Sequence, residues 1–192
     1  MTSVRVLGVD PGTQLAGWAV LERLPDGVLR YCASGLCRLG RSPKPIAERL
    51  QGLHQELSTQ IAQWQPQALA LEGAFFGLNA RSALRLGEAR GVILLTAAQA
   101  DCQIHELPPA TVKARVAGAG QATKEQVESL VRMHLSDAPE SFASADEADA
   151  VAIALCLLLE PGFENASSLE SPVKRPSARR SSATLPPGTS FQ

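Results

Sequence analysis

A chain of 192 residues, 45% of them hydrophobic and with a mean hydropathy near zero, fits one globular domain with a core of useful size. Eighteen Lys and Arg against nineteen Asp and Glu give a net charge of −1, which excludes a uniformly basic coat for a polyanion. No run of about 18 uncharged apolar residues occurs, which argues against a membrane-spanning helix, and the chain enters a strand with no basic and apolar leader, so a cytoplasmic protein is expected.

The first predicted strand is Val4–Asp10, followed by a second over residues 17–22. Pro25-Asp26-Gly27 is a strong turn signal before a third strand over 28–38, so the chain opens as a three-stranded antiparallel meander. Ile46, Leu50, Leu53, Leu57, Ile61 and Trp64 recur at intervals of three and four, which predicts a helix over 45–64 that ends before Pro66. Residues 68–71 are an apolar run too short for a helix, and they close on Glu72. Residues 79–100 read as a helix, 103–106 as a short strand, and 123–135 as a helix with Thr123 as its cap. Ser144 to Glu147 form a capping box, in which Glu147 is expected to reach back to Ser144; the helix that it opens is apolar through Leu159.

Past Pro161 the chain is rich in Ser, Pro and Arg. Residues 161–192 carry a net +2, leaving −3 on residues 1–160, and are expected to be a disordered tail to a domain that ends at about residue 160. Any polyanion must therefore meet a local patch. Cys32, Cys37, Cys102 and Cys156 show neither a CxxC pair nor zinc-ligand spacing and read as reduced packing residues. His54, His105 and His134 are scattered, and Trp18 and Trp64 read as core.

Four acids stand out from apolar surroundings. Asp10 ends a strand beside a Pro-Gly turn, Glu72 repeats that pattern, and Asp146 and Asp149 interrupt the apolar helix. A buried carboxylate stays ionised only with a cation nearby. Asp146 and Asp149, three residues apart, point about 60° from each other on one helical face. Each acid taken singly reads equally well as a helix cap or a surface ion-pair partner. Together, with no His or Cys close by, they are an oxygen-only set suited to a hard cation such as Mg²⁺ or Mn²⁺. Two such ions ~3.5–4 Å apart activate a water and stabilise the leaving oxygen of a phosphodiester.

The blocks LGVDPG, ALEGAFFGLNARSALRLGEARG, PATVKARVAGAGQATKEQV and ADEADAVAIA, in this order, resemble the RuvC family of crossover junction endodeoxyribonucleases. The likeness runs from about Val4 to Leu158. It implies an α/β ribonuclease H-like fold, with a five-stranded mixed sheet flanked by helices. It also implies a Mg²⁺-dependent homodimer that cuts four-way junction DNA by paired symmetric nicks and works with the RuvA and RuvB branch-migration complex.

Carried over by motif, the family's catalytic acids fall on Asp10, Glu72, Asp146 and Asp149. Asp10 is then the ligand shared by two metal ions per site, with Mn²⁺ able to replace Mg²⁺; Glu72 and Asp149 complete the shells, and Asp146 binds metal or orients the attacking water. The resemblance also sets Lys113 and Lys124 near the scissile phosphate, although spacing alone makes Lys124 an ordinary solvated lysine at a helix start. Phe75 is implied as the ring that contacts the junction. Arg81 and Arg85 share a helical face suited to backbone phosphates, and Arg90 is read as a packing or dimer residue.

Two other classes of protein meet parts of this pattern. Actin-like and sugar-kinase-like ATP-binding proteins also open on an Asp-x-Gly turn after a strand, but they need two such domains, and this chain has room for one and no GxxxxGK[ST] loop. A junction-binding module without catalysis is expected to have lost an acid, and all four are present.

Overall fold

Five strands in the order β3-β2-β1-β4-β5 form one mixed sheet. β1 (Val4–Asp10), β2 (Leu15–Arg23) and β3 (Leu29–Arg38) are the expected antiparallel meander. β4 (Ala68–Glu72) then pairs parallel with β1, and β5 (Gln103–Leu107) pairs parallel with β4. Parallel neighbours need a crossover, and α1 (Ile46–Trp64) and α2 (Ala80–Gln99) provide the two. The computed structural model describes residues 2–12, 14–40, 44–73, 80–118 and 124–163, with the side chains of 124, 125 and 127 left aside. Phe75, Asn79, Thr123 and the tail from residue 164 lie outside them.

The sheet separates two cores. Leu7, Val9, Leu69 and Leu71 face Leu53 and Leu57 of α1 and Ala89, Ile93 and Ala97 of α2. Val6, Ala19, Leu21, Ala68 and Ala70 face α5 (Ala145–Leu158), which is buried from Ala150 to Leu158. A helix that is apolar all round belongs in an interior. α5 comes very close to the sheet because Gly8 leaves space for it: a β-carbon there would fall 2.3 Å from the Ala150 carbonyl oxygen.

The structure departs from sequence expectation at four places. A short helix, α3 (Pro109–Ala117), precedes α4 (Lys124–His134) and was not expected. Its signals are proline in the first turn, Val112 and Val116 buried four residues apart, and Gly118 at φ 69° as a left-handed cap. The capping box is only half as expected: Ser144 Oγ accepts from the Glu147 amide at 3.2 Å, but the Glu147 carboxylate accepts from the Ala143 amide at 2.6 Å, not from Ser144. Phe163 is buried, 5% exposed, so packing continues past the expected boundary at residue 160. Cys37, Cys102 and Cys156 are buried thiols and Trp18 is core, but Cys32 and Trp64 are half-buried at its margin.

Candidate active site

β1 and β4 stay in register to Val9 and Leu71, so Asp10 and Glu72 follow side by side as the last residues of adjacent strands. Alternation along each strand then sets their direction. Val6 and Gly8 face α5 while Leu7 and Val9 face the opposite core, and Asp10 continues the first series. Ala68 and Ala70 face α5 as well, and Glu72 continues theirs. Both carboxylates therefore project on the α5 side of the sheet.

The first turns of α5 bring the other two acids to the same end. Asp10 pairs across β1 and β2 with Gly17, and Gly17 lies directly beneath the backbone of Asp146. One turn further on, Asp149 shares a cleft of about 260 Å³ with Glu72 and Lys113, over an apolar floor of Val112, Ala152 and Ile153. Lys113 reaches this cleft from α3, the helix that the periodicity did not predict. All four acids are half-buried.

Arg90 has a role here that sequence reasoning did not assign. It is 11% exposed, and its guanidinium donates both to the backbone carbonyl of Glu72 and, at 2.6 Å, to the Glu106 carboxylate. The Gly73 amide donates to the Leu107 carbonyl oxygen at 2.8 Å, so the peptide that follows Glu72 is held at both its carbonyl and its amide. A hydrogen bond to a charged group in such a place is worth about 1.5–3 kcal/mol.

Of the expected DNA-contacting residues, Lys113 and Arg81 are exposed, and Arg85 is ion-paired with Glu88 at 2.9 Å. Lys124 is the first residue of α4. Phe75 lies outside the described residues. The histidines have other surroundings: His54 bonds Thr96 Oγ1 at 2.9 Å, and His134 is exposed on α4. His105 meets Phe163 edge-on at 5.4 Å, and burial holds its pKa below the usual value.

Among the described residues, no three His, Cys, Asp or Glu side chains are close enough, as they stand, to hold an ion. The donor set nevertheless fits a hard cation in its chemistry. Four carboxylates are borne at one end of the sheet, and the glycines at positions 8 and 17 let the helix carrying two of them sit against the strands carrying the others.

A sequence model described as Crossover junction endodeoxyribonuclease RuvC matches residues 6–157, which is most of the chain. The chain belongs to the RuvC family. A RuvC from Roseiflexus sp. (strain RS-1) is 45% identical over 156 residues, 81% of this chain and 91% of that one. The solved structure of Thermus thermophilus RuvC in complex with Holliday junction substrate superposes with a TM-score of 0.74 at 30% identity, covering 80% of this chain and 92% of that one. The yeast mitochondrial Holliday junction resolvase shares the fold at a TM-score of 0.60 and 15% identity, over 86% of this chain and 82% of that one. As a RuvC-family protein the chain is a structure-selective nuclease, a hydrolase of DNA phosphodiester bonds that acts in recombination and repair. RuvC-family nucleases are metal-dependent. Among the described residues, no helix is long and apolar enough to cross a membrane.

Proposed function

We propose that this RuvC-family chain resolves Holliday junctions at a site made of Asp10, Glu72, Asp146 and Asp149, with Lys113 and Lys124 as its cations. The convergence of strand register and helix phase carries this reading. Asp10 and Glu72 sit on neighbouring strand ends, facing the helix that bears Asp146 and Asp149. Asp10, Glu72, Asp146 and Asp149 would hold two Mg²⁺ ions per site, or Mn²⁺ in their place, which would supply activation of a water and stabilisation of the leaving 3′-oxygen.

The chain's own residues do the rest. Asp10, adjacent to both β4 and the α5 start, serves both sides of the site. Glu72 and Asp149 line one cleft and act from it together. Asp146 completes the set from the first turn of α5 and orients water. Lys113 offsets the negative charge that develops on the phosphate, and Lys124 shares this task. Arg81 and Arg85 engage backbone phosphates, and Phe75 contacts bases at the crossover.

Two such sites in a homodimer cut strands of like polarity at symmetric positions, since two-fold symmetry in the protein matches that of a four-way junction. The products carry 5′-phosphate and 3′-hydroxyl ends. RuvA and RuvB are the partners that migrate the branch point, and the enzyme works in the cytoplasm beside the chromosome. Incubating a labelled four-way junction, a linear duplex and a flap with and without Mg²⁺ tests this. Paired nicks in the junction alone, lost in Asp10→Asn while junction binding persists, support the assignment. Undiminished nicking by Asp10→Asn overturns it.

A further inference from the structure

Between Asp146 and Asp149 stands a carboxylate that points elsewhere. Glu147 is 7% exposed, and its two oxygens accept hydrogen bonds from different elements: one from Ser34 Oγ on β3, the other from the Ala143 amide at 2.6 Å. Ser34 shares a further hydrogen bond of 2.7 Å with the Tyr31 hydroxyl. The Tyr31 ring lies 6.4 Å from that of Phe142, which immediately precedes Ala143. Tyr31, Ser34, Glu147, Ala143 and Phe142 thus form a closed ring that joins β3 to the entry of α5.

A first-turn acid that only capped its own helix would add no tie between that turn and the edge of the sheet. Glu147 instead reaches across to the edge strand of the sheet. At 100° per residue it projects about 100° from Asp146 and 160° from Asp149, so a bond made at position 147 fixes the rotation of the turn that aims both acids. Small changes in aim matter, because a misplacement on the order of 1 Å in a reacting group costs on the order of 100-fold in rate.

We propose that Glu147 is a positioning residue for the nuclease reaction, latching the first turn of α5 to Ser34 and Ala143 and so setting the direction of Asp146 and Asp149. The proposal rests on those two acids belonging to the active site. It assigns Glu147 no contact with DNA and no ligation of metal.

The test compares Glu147→Ala, Glu147→Gln and Ser34→Ala in the full chain, each assayed below its melting transition as followed by circular dichroism. Glu147→Ala is expected to lower kcat on a four-way junction by about 10- to 100-fold. Junction affinity without divalent ions should stay within about twofold, while Mn²⁺ binding read by electron paramagnetic resonance weakens with kcat. A glutamine at 147 can accept from the Ala143 amide and donate to Ser34 Oγ, so Glu147→Gln should recover kcat to within about threefold. Ser34→Ala should fall between, and it carries the same comparison if Glu147→Ala does not fold.

Wild-type kcat and Mn²⁺ affinity in Glu147→Ala, or in Ser34→Ala if it is the one that folds, overturn the latch. So does a Glu147→Gln protein as impaired as Glu147→Ala, since that result would assign the effect to charge. Asp10→Asn, run in parallel, keeps the two readings apart. An inactive Asp10→Asn beside a fully active Glu147→Ala removes only the latch, whereas an active Asp10→Asn removes the assignment of the acids themselves.

Discussion

A β-carbon on Gly17 would stand 1.9 Å from the backbone carbonyl oxygen of Asp146, much closer than two such atoms can approach. The obstacle is backbone at the first turn of a helix, which cannot swing aside as a side chain can. Gly17→Ala should therefore lift the start of α5 from β2. Overpacking of this kind costs about 1–3 kcal/mol, and occasionally more. Urea unfolding is expected to show that loss, with junction cleavage falling by a larger factor than stability alone explains. A variant with wild-type stability and activity would contradict the close approach.

Arg90 should not be replaceable by lysine. Its fork bonds the Glu72 carbonyl and the Glu106 carboxylate together, and an ammonium group has no planar pair of donors to span them. Arg90→Lys is expected to retain most of the fold and lose cleavage rate. Arg90→Ala should also destabilise the protein by about 1–3 kcal/mol, because the Glu72 carbonyl loses its charged donor. Denaturant melts and single-turnover rates on the same preparations separate the two effects.

Lys113 is exposed, yet it borders the cleft that Glu72 and Asp149 share. Lys113→Met keeps the aliphatic length and removes the charge. Its single-turnover rate at saturating protein should fall by about 10- to 100-fold, the range expected when one stabilising donor leaves a developing oxyanion. The melting temperature should not move, since the ammonium group is solvated.

Glu22 supplies a pH dependence far from the catalytic end. Burial by itself pushes its pKa up, but the hydrogen bonds from Arg30 and Ser3 and the charges of Arg5 and Arg30 outweigh it and hold the carboxyl below its ordinary value of 4.5. A group with a depressed folded pKa stabilises fully above its unfolded pKa, and that contribution disappears as pH falls through the folded value. Stability should therefore fall on acidification below about pH 4.5 more steeply in the parent than in Glu22→Gln. Urea midpoints from pH 6 to pH 3 measure the slope.

The strands and long helices, and the four acids, were legible because each involves only local signals. An apolar run closed by an acid marks Asp10 and Glu72, and the serine cap marks the start of the helix with Asp146 and Asp149. That Asp10 and Glu72 are neighbours was not legible from composition or spacing. It depends on parallel pairing between β1 and β4, separated by more than fifty residues of chain, and no local pattern encodes such a pairing. α3 is not legible because nine residues make only about two and a half turns, and its Val112 and Val116 are too few to stand out. Arg90 and Glu147 look like ordinary helix charges in sequence. Only their tertiary partners, the Glu72 carbonyl and Ser34, distinguish them.

α5 is covered by the sheet on one side and by α3 and α4 on another, and its residues from Ala150 to Leu158 are buried. Amides in the buried stretch of such a helix are expected to exchange with solvent close to the rate of global opening. Two of the four proposed catalytic acids stand in the first turns of that helix, directly N-terminal to the buried stretch. Loss of α5 on heating or in denaturant is therefore expected to remove that half of the site together with the core, so nuclease activity and global structure should disappear in one transition.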